Sequence, residues 1–384
     1  MMTRSFLPVG QGAFYAERFE LDSDRVNVIY DCGSSTGIHI VEQAIRNHFY
    51  QGEEVNGVFI SHFDADHTNG LPYLLKYCHV KNLFFPLITK ELQEFVSLDD
   101  LIYPSQNRAF LSAFVKDPLG ALEALDLDYH PALYQIQENG EYDDSRSQYI
   151  DVDAISVPSG ENVSHILFSP RHKNPDWLYI PFNFREIART KAFKAAMQSQ
   201  LGCIYSCADL LDLLDRGVLT IDDIKQVYKT VPGSLNTNSM TVLSASPDSS
   251  IMQSLSKFPL PKGYCPHCSN GCTPCIPCIW KFPNGCLYTG DYDAKGPQKW
   301  NELYSAYRKY DAFIGCVQIP HHGSKHNYNP QLLGVGHCLF YIISAGSSNR
   351  YHHPHCSVVK DILSACKYPV IVTENSGAVR FDIS

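Results

Sequence analysis

Four side chains that can bind metal ions fall within six residues: His62, Asp64, Asp66 and His67. They directly follow the apolar run 55–61, which predicts a short buried strand. A strand that ends and turns into a helix directs alternate side chains into one cavity, so these imidazoles and carboxylates can serve two neighbouring ions. Two divalent ions about 4 Å apart can deprotonate a shared water and create a nucleophile at neutral pH. Imidazole and carboxylate ligands suit zinc, manganese or iron.

A structural alternative exists for this cluster. Asp66 would cap a helix, and the histidines would lie on the surface with ordinary hydrogen bonds. A single such residue would favour this alternative. Four at this spacing, followed by Gly70, favour a metal site.

Further polar groups follow predicted strands in the second half of the chain. Asp291 ends the strand at 285–289, His321 and His322 end the next strand, and His353 lies in a histidine-rich segment after another. In open α/β sheets, side chains beyond the carboxyl ends of successive strands share one crevice. We therefore expect these residues to meet the first cluster.

The series of motifs resembles the metallo-β-lactamase fold superfamily. The segments are VGQG (9–12), YDCG (30–33), SHFDADH (61–67), YTGD (288–291), PHHGS (320–324) and HHPH (352–355). Within the superfamily they look most like the hydrolase domain of competence DNA-uptake channel (ComEC-type) proteins, and its phosphorylcholine esterases are also similar. The resemblance covers about residues 4–90 and 236–384.

This resemblance implies two catalytic divalent ions, zinc or manganese, held by seven side chains: His62, Asp64, Asp66, His67, Asp291, His322 and His353. His62 and Asp64 would bind the first ion. Asp66 and His67 would bind the second, and Asp291 would bridge the two ions.

The same resemblance implies roles for the other histidines. His322 would complete the second metal site, and His321 beside it would touch the substrate phosphate. His353 would be a further ligand or a proton donor. Asp66, His321 and His353 are therefore the expected catalytic residues.

The chain departs from the commoner family pattern at the first metal site. Asp64 stands where histidine is commoner, and the segment 236–239 stands where the family has a histidine before the Gly-Asp strand. These changes make the first site richer in oxygen ligands, which makes manganese plausible beside zinc. The third ligand of this site would be Asn238, His165 or no residue.

Six of the 14 cysteines lie close together between two predicted strands. Two CxxC pairs can supply four thiolates to one tetrahedral zinc ion: Cys265, Cys268, Cys275 and Cys278. Cys272, Cys286 and His267 are alternative ligands. A loop too short for its own core needs such a staple, so we expect a structural zinc in a hairpin insert at 262–286. An uncoordinated loop or a redox pair is the alternative.

The elements around these residues alternate between strands and helices, which predicts an α/β fold. Helices are expected at 184–200, 208–216 and 221–230, and a strand is expected at 164–169. The resemblance implies an αββα sandwich of the metallo-β-lactamase type with a helical insertion and a small zinc hairpin. We expect three parts: a first half of the core at 1–99, a mainly helical insertion or lid at 100–235, and a second half of the core at 236–384.

Composition excludes several classes of protein. The chain has 384 residues, with 31 basic and 40 acidic side chains and a net charge of −9, which argues against a broad basic face that coats nucleic acid. No apolar run approaches the roughly 18 residues of a membrane span. The N-terminus does not resemble a signal peptide. We expect a cytoplasmic protein with reduced cysteines and no membrane partner.

Three functions remain open at this point. The first is a metal-dependent hydrolase in which a metal-bridging hydroxide attacks a phosphodiester, as in a phosphodiesterase or nuclease acting on nucleic acid or nucleotides. The second is a hydrolase of a carboxylic ester, lactone or amide, because one fold supports both chemistries. The third is a non-enzymatic sensor or a subunit that binds a protein partner through the insertion. The sequence indicates no particular oligomeric state.

Overall fold

The structure, a computed structural model, describes residues 1–21, 25–102, 109–139, 154–168, 177–184, 187–230, 239–257 and 281–384. The strands in these ranges are β1 (Met2–Phe6), β2 (Gly12–Glu20), β3 (Arg25–Ser34), β4 (Glu54–Val55), β5 (Gly57–Phe59), β6 (His79–Val80), β7 (Asn82–Pro86), β8 (Ala132–Ile136), β9 (Ile155–Val157), β10 (Leu178–Phe182), β11 (Thr241–Ala245), β12 (Met252–Lys257), β13 (Phe282–Pro283), β14 (Gly285–Tyr288), β15 (Ile314–Gln318), β16 (Phe340–Ser344), β17 (Tyr368–Val372) and β18 (Val379–Ile383).

The α-helices are α1 (Ile38–His48), α2 (Ala65–Thr68), α3 (Leu71–Tyr77), α4 (Lys90–Ile102), α5 (Ala109–Lys116), α6 (Pro118–Glu123), α7 (Ser164–Leu167), α8 (Ile187–Leu201), α9 (Cys207–Asp215), α10 (Ile221–Thr230), α11 (Pro297–Tyr307) and α12 (Cys356–Ser364). None of the helices in the described ranges combines the length and the hydropathy needed to cross a bilayer.

Two mixed sheets form the centre of the fold. The larger sheet has ten strands in the order β13-β12-β18-β1-β2-β3-β5-β7-β8-β9, and the smaller has six in the order β10-β11-β14-β15-β16-β17. Neighbouring strands from β3 through β9 run parallel, and so do those from β14 through β17. Parallel neighbours need long crossover connections, and these carry most of the helices.

The apolar faces of the elements stack in four layers. Tyr15 from the larger sheet packs with Tyr288 and Phe340 from the smaller one in the core between the sheets. On the outer faces, Val41 of α1 packs on the larger sheet and Trp300 of α11 on the smaller one. Each sheet therefore buries both faces, as stacked layers require. The predicted αββα architecture is confirmed.

A buried ion pair also joins the two sheets. Arg4 Nε in β1 donates to Glu17 Oε1 in β2 at 2.7 Å, and both side chains are almost fully buried. The same carboxylate accepts hydrogen bonds from Tyr288, Tyr179 and Ser244 of the smaller sheet, at 2.9, 2.5 and 2.7 Å. Since a buried charge is tolerated only when it is paired and hydrogen-bonded, these contacts tie the sheets to one relative position.

The helices predicted at 184–200, 208–216 and 221–230 are confirmed as α8, α9 and α10. With α4 they form a separate apolar cluster that includes Leu98 and Phe193. Residues 100–235 also contain β8, β9 and β10, which pair into the two core sheets. In the described part of that range, the helical portion that stands apart from the core is therefore narrower than the sequence indicated.

The strand predicted at 164–169 is wrong. The structure has the short helix α7 there, and the neighbouring strand is β10. Val163 and Leu167 both enter the core between the sheets. Because residues four apart share one face of a helix, a helical turn buries both side chains together.

Candidate metal centre

The carboxyl ends of parallel strands from both sheets carry the candidate site. The residues are Asp31 in β3, His62 after β5, Asp291 after β14, His322 after β15 and His353 after β16. The short helix α2, which follows β5, adds two more side chains from the first motif. The crevice therefore lies where open α/β sheets generally bind ligands.

Two groups of three residues present ligand atoms within 4.8 Å of one another: His62 with His67 and Asp291, and Asp66 with His67 and His322. His67 belongs to both groups. Its Nε2 lies 3.1 Å from Asp291 Oδ1, and His322 Nε2 lies 3.4 Å from Asp66 Oδ2. Since metal–nitrogen and metal–oxygen bonds are about 2 Å long, ligand atoms at such spacings fit around shared ions.

Four of these ligand atoms have no hydrogen-bond partner among the described residues. Nε2 of His62, His67 and His322 and Oδ1 of Asp291 are buried and make no hydrogen bond to any described residue. Each buried polar atom without a partner costs about 1–3 kcal/mol, so four in one place indicate a ligand that they share. A set of imidazoles and carboxylates fits divalent zinc or manganese.

Other residues of the predicted site lie around these groups. Asp64 Oδ2 is 3.6 Å from His62 Nε2, and its side chain is about a third exposed, so it stands at the mouth of the site outside both groups. His321 Nε2 is 3.5 Å from Asp291 Oδ2. The His353 ring lies 5.6 Å from that of His321, and its Nδ1 is buried and has no partner among the described residues.

The two candidates for a third ligand of the first metal site were His165 and Asn238. His165 is exposed on α7, with its Nδ1 3.1 Å from the carbonyl oxygen of Asn162, and it belongs to neither ligand group. Asn238 lies outside the described residues, as do Cys265, Cys268, Cys275 and Cys278. The structural zinc therefore stays a prediction.

Hydrogen bonds at Nδ1 orient the imidazoles. His67 Nδ1 donates to Asp31 Oδ2 at 2.7 Å, and His322 Nδ1 donates to the carbonyl oxygen of Ser344 at 2.9 Å. His62 Nδ1 lies 2.9 Å from Ser61 Oγ and 3.0 Å from Ser239 Oγ. With a proton on Nδ1, each ring keeps its Nε2 lone pair for a metal ion.

Asp31 is a site residue that the sequence reasoning did not assign. The pairing of β2 with β3 skips it, because Phe14 pairs with Cys32 and Tyr15 with Tyr30. Its φ of 57° marks a bulge that turns the carboxylate away from the regular strand direction. The available signal was an aspartate directly after the apolar run 28–30 of a buried strand.

Replacing Asp31 by asparagine should weaken metal binding by roughly 10- to 100-fold, because the amide no longer fixes the charge and orientation of the His67 ring. Asparagine tolerates positive φ, so the bulge should persist. Titration with zinc or manganese against a competing chelator measures the change. Asp126→Asn is the matched control, since Asp126 has a φ of 55° but is exposed. Equal affinities in the two variants would refute this orienting role.

Charges in the cluster compensate one another. Burial alone would raise the pKa of the Asp291 carboxyl, but His321, His67 and His322 hold it well below its usual range. Burial likewise opposes ionisation of Asp66, while the nearby imidazoles of His322 and His67 lower its pKa to about 2. Both carboxylates are therefore ionised at neutral pH, as metal ligands must be.

Burial and the neighbouring charges also shift the pKa values of the imidazoles. Burial alone would lower the pKa of His67, but Asp291 and Asp31 raise it well above its ordinary value, and Asp291 and Asp66 raise that of His322. Burial, with His322 and His321, lowers the pKa of His353 to about 4. His353 is therefore neutral at pH 7, with a lone pair available to a metal ion or a hydrogen-bond donor.

The backbone at the site is unusual. His321, His322 and His352 have φ of 50°, 55° and 55°, a region that residues other than glycine seldom adopt. Gly290, immediately before Asp291, has a φ of 53°, and a Cβ there would lie 2.8 Å from the Cβ of Ser61. Such strained conformations concentrate at functional sites, and here they let neighbouring strand ends approach closely.

Residues 19–135 match the family model described as the metallo-beta-lactamase superfamily. The chain therefore carries a metallo-β-lactamase superfamily domain, and the resemblance drawn from the motifs is confirmed. Such a domain implies a metal-dependent hydrolase, and the paired His and Asp groups are its candidate metal sites.

Among curated proteins, the chain is similar to "ComE operon protein 3" of Bacillus subtilis (strain 168). The two are 30% identical over 105 residues, which are 27% of this chain and 13% of that protein. The similarity thus concerns a small part of the relative, and it supports the likeness to the competence proteins.

Two solved structures are distantly similar. One is MEM-A1, a subclass B3 metallo-beta-lactamase isolated from a soil metagenome library, with 10% identity, a TM-score of 0.31, and coverage of 83% of this chain and 76% of that one. The other is the metallo-beta-lactamase fold protein YhfI from Bacillus subtilis, with 8% identity, a TM-score of 0.38, and coverage of 99% and 100%.

Proposed function

We propose that this protein is a metal-dependent phosphodiesterase or nuclease that acts on nucleic acid or nucleotides. The observation that carries the proposal is the convergence of four buried ligand atoms that have no hydrogen-bond partner in the described part of the chain. Two further imidazoles, His321 and His353, lie beside them. When bound, two zinc or manganese ions supply a water of lowered pKa as the nucleophile and neutralise charge on the phosphate oxygens.

Different side chains would bind each of the two ions. His62 and Asp64 would hold one ion, and Asp66, His67 and His322 would hold the other. Asp291 stands between the groups, because its Oδ1 faces His67 and His322 while its Oδ2 faces His62. A carboxylate in this position would be able to bind both ions.

The remaining histidines would handle the substrate. His321 is about a third exposed and has a buried Nδ1 without a partner among the described residues, so its ring can hydrogen-bond a phosphate oxygen. His353 is held neutral, and it could share a ligand position or donate a hydrogen bond from its neutral ring N–H to the departing oxygen. Both contacts would be strongest as charge develops in the transition state.

Two other predictions belong to the same proposal. The four cysteines of the CxxC pairs would hold one structural zinc. The helices α8 to α10 would form a lid or a surface for a protein partner. In support, Phe184, just before α8, packs edge-on against Tyr292, the neighbour of Asp291, at 6.1 Å.

The proposal is tested with bis(p-nitrophenyl) phosphate and single-stranded DNA, each with manganese or zinc. We expect hydrolysis of both by the wild-type chain and a decrease of at least about 100-fold in Asp66→Ala, which removes a ligand and its charge. The matched control is Asp128→Asn, at an exposed position, and it should keep full activity. No turnover of either substrate, or equal turnover in Asp66→Ala, would overturn the proposal. Hydrolysis of lactones or nitrocefin alone would favour the ester and amide alternative.

A further inference from the structure

A row of stacked side chains leads outward from the metal centre. The His353 ring stacks on the His322 ring at 6.4 Å and on the Tyr351 ring at 5.7 Å, with planes within 26° and 25°, and it meets the His321 ring edge-on at 5.6 Å. The Arg350 guanidinium lies 4.9 Å from the centre of the Tyr351 ring, and Arg350 Nη2 donates to the Tyr351 hydroxyl at 2.7 Å. Tyr351 is 53% exposed. A flat aromatic and guanidinium surface therefore begins beside the reacting centre and ends in solvent.

The loop that carries this row is held by its own asparagine. The Asn349 side chain donates to the carbonyl oxygens of Gly346 and His353 at 2.7 and 2.6 Å, and it accepts from the His353 backbone amide at 2.8 Å. These bonds span the loop from base to tip. A surface held in place before binding loses little entropy when a ligand arrives.

The same loop is fixed against the His321–Gly323 turn. The backbone amide of His355 donates to the carbonyl oxygen of Gly323 at 3.0 Å. Gly323 also approaches Pro354 so closely that a Cβ on the glycine would lie 2.6 Å from the proline Cβ. The stacked row and the metal ligands of this turn therefore keep one relative position.

Three exposed cations lie in the segments after the ligand-bearing strands, although the whole chain carries a charge of −9. Arg350, Lys325 and Lys295 are exposed, and Lys295 Nζ reaches the backbone carbonyl of Lys325 at 3.3 Å. Lys325 follows the turn that carries His321 and His322. These cations are available to pair with the phosphates of an anionic substrate.

We propose that Arg350 and Tyr351 form a stacking platform for the nucleoside adjacent to the scissile phosphate, so that the substrate is a single strand of nucleic acid. This inference rests on the proposed phosphodiesterase function. Aromatic rings and guanidinium planes are the groups on which proteins stack unpaired bases. Arg350 can also pair with the phosphate on the far side of that nucleoside.

The charge of the platform argues against a choline ester as substrate. A quaternary ammonium group needs an aromatic face free of other cations. On Tyr351 the guanidinium of Arg350 already lies over the ring. A strand of nucleic acid is favoured instead. Its bases can stack on the flat surface, and its phosphates can pair with the Arg350 cation.

The test compares a fluorescein-labelled thymidine oligonucleotide with an oligonucleotide of equal length that carries abasic spacers. Both have the same phosphates, so only the bases differ. For wild-type protein we expect the abasic strand to have a KM higher by roughly 5- to 150-fold, the range that stacking of one base supplies. Tyr351→Ala should abolish this difference, and Tyr351→Phe should keep it. Tyr304→Ala, which removes a tyrosine that is 45% exposed on α11, is the matched control.

Fluorescence anisotropy of the same strands with metal-depleted protein gives a readout that does not depend on turnover. Base-dependent binding that is lost in Tyr351→Ala and kept in Tyr351→Phe supports the platform. Equal use of thymidine and abasic strands by wild type, or an unchanged preference in Tyr351→Ala, overturns the platform while leaving hydrolysis of bis(p-nitrophenyl) phosphate intact. A preference for p-nitrophenyl phosphorylcholine over the thymidine strand also overturns it. Failure of the proposed function itself would show as no hydrolysis of any diester.

Discussion

Replacing Asp291 by asparagine is expected to lower diesterase turnover by at least on the order of 10³-fold, which is about 4 kcal/mol of transition-state stabilisation. Asp291 Oδ1 lies 3.1 Å from His67 Nε2, and Oδ2 lies 3.8 Å from His62 Nε2. An amide of the same size keeps the packing but loses the negative charge that would hold two cations together. Rates with bis(p-nitrophenyl) phosphate at saturating manganese measure the effect.

The fold of this variant should persist. The backbone amide of Asp291 donates to Ser239 Oγ at 2.9 Å, and this bond does not involve the carboxylate. The thermal unfolding midpoint of metal-depleted protein therefore serves as the internal control. A variant that folds normally and retains turnover within a factor of three would contradict the role of Asp291.

Replacing Glu17 by glutamine should have the largest effect on stability, a loss of about 3–5 kcal/mol in the free energy of unfolding. The substitution leaves the Arg4 guanidinium fully buried and without its counter-ion. Arg4 Nη1 would retain its bonds to Gln253 Oε1 and the carbonyl oxygen of Asn284, both at 2.8 Å, but these groups are neutral. Urea unfolding followed by tryptophan fluorescence measures the change.

Glu20→Gln, at the end of the same strand, is the matched control. Glu20 pairs with Arg25 at 3.1 Å, but the two side chains are 50% and 40% exposed. An exposed ion pair contributes only about 0–1 kcal/mol. If Glu17→Gln were no more destabilising than Glu20→Gln, the buried pair would not join the sheets as described.

The sequence was informative about this protein wherever chemistry is concentrated in short motifs. The segment from His62 to His67 and the later Asp291 and His322 could be recognised because several ligand types follow strand ends. The structure brings these residues together. The alternation of strands and helices predicted only an α/β fold, and the four-layer arrangement was implied by the resemblance that these motifs carry.

Features that depend on distant packing were harder to infer. Asp31 acts through a bulge that forms only when β2 and β3 pair, and Ser239, two residues before β11, reaches His62 from the side of the other sheet. The aspartate itself is visible in the sequence, but the bulge and the serine contact have no local sequence signal. The helix α7 was misread as a strand because apolar runs of a few residues fit both periodicities, and the core between the sheets decided between them.

The strands near the edges of the two sheets were also hard to predict from the sequence. Strands β8, β9 and β10 lie among helices in the sequence, and short strands there look like parts of an insertion. Their assignment to the core depends on pairing, for example of Leu178 with Ala245 and of Tyr134 with Ile155. Long-range pairing of this kind cannot be read from the composition of the segment.

The central claim is that the paired His and Asp groups bind two divalent ions. Metal content per chain, measured by inductively coupled plasma mass spectrometry after dialysis, tests it most directly when wild type and Asp291→Asn are compared. We predict that wild type holds two more zinc or manganese ions per chain than the variant, whatever other zinc both chains contain. Equal metal content in two folded proteins would contradict the account.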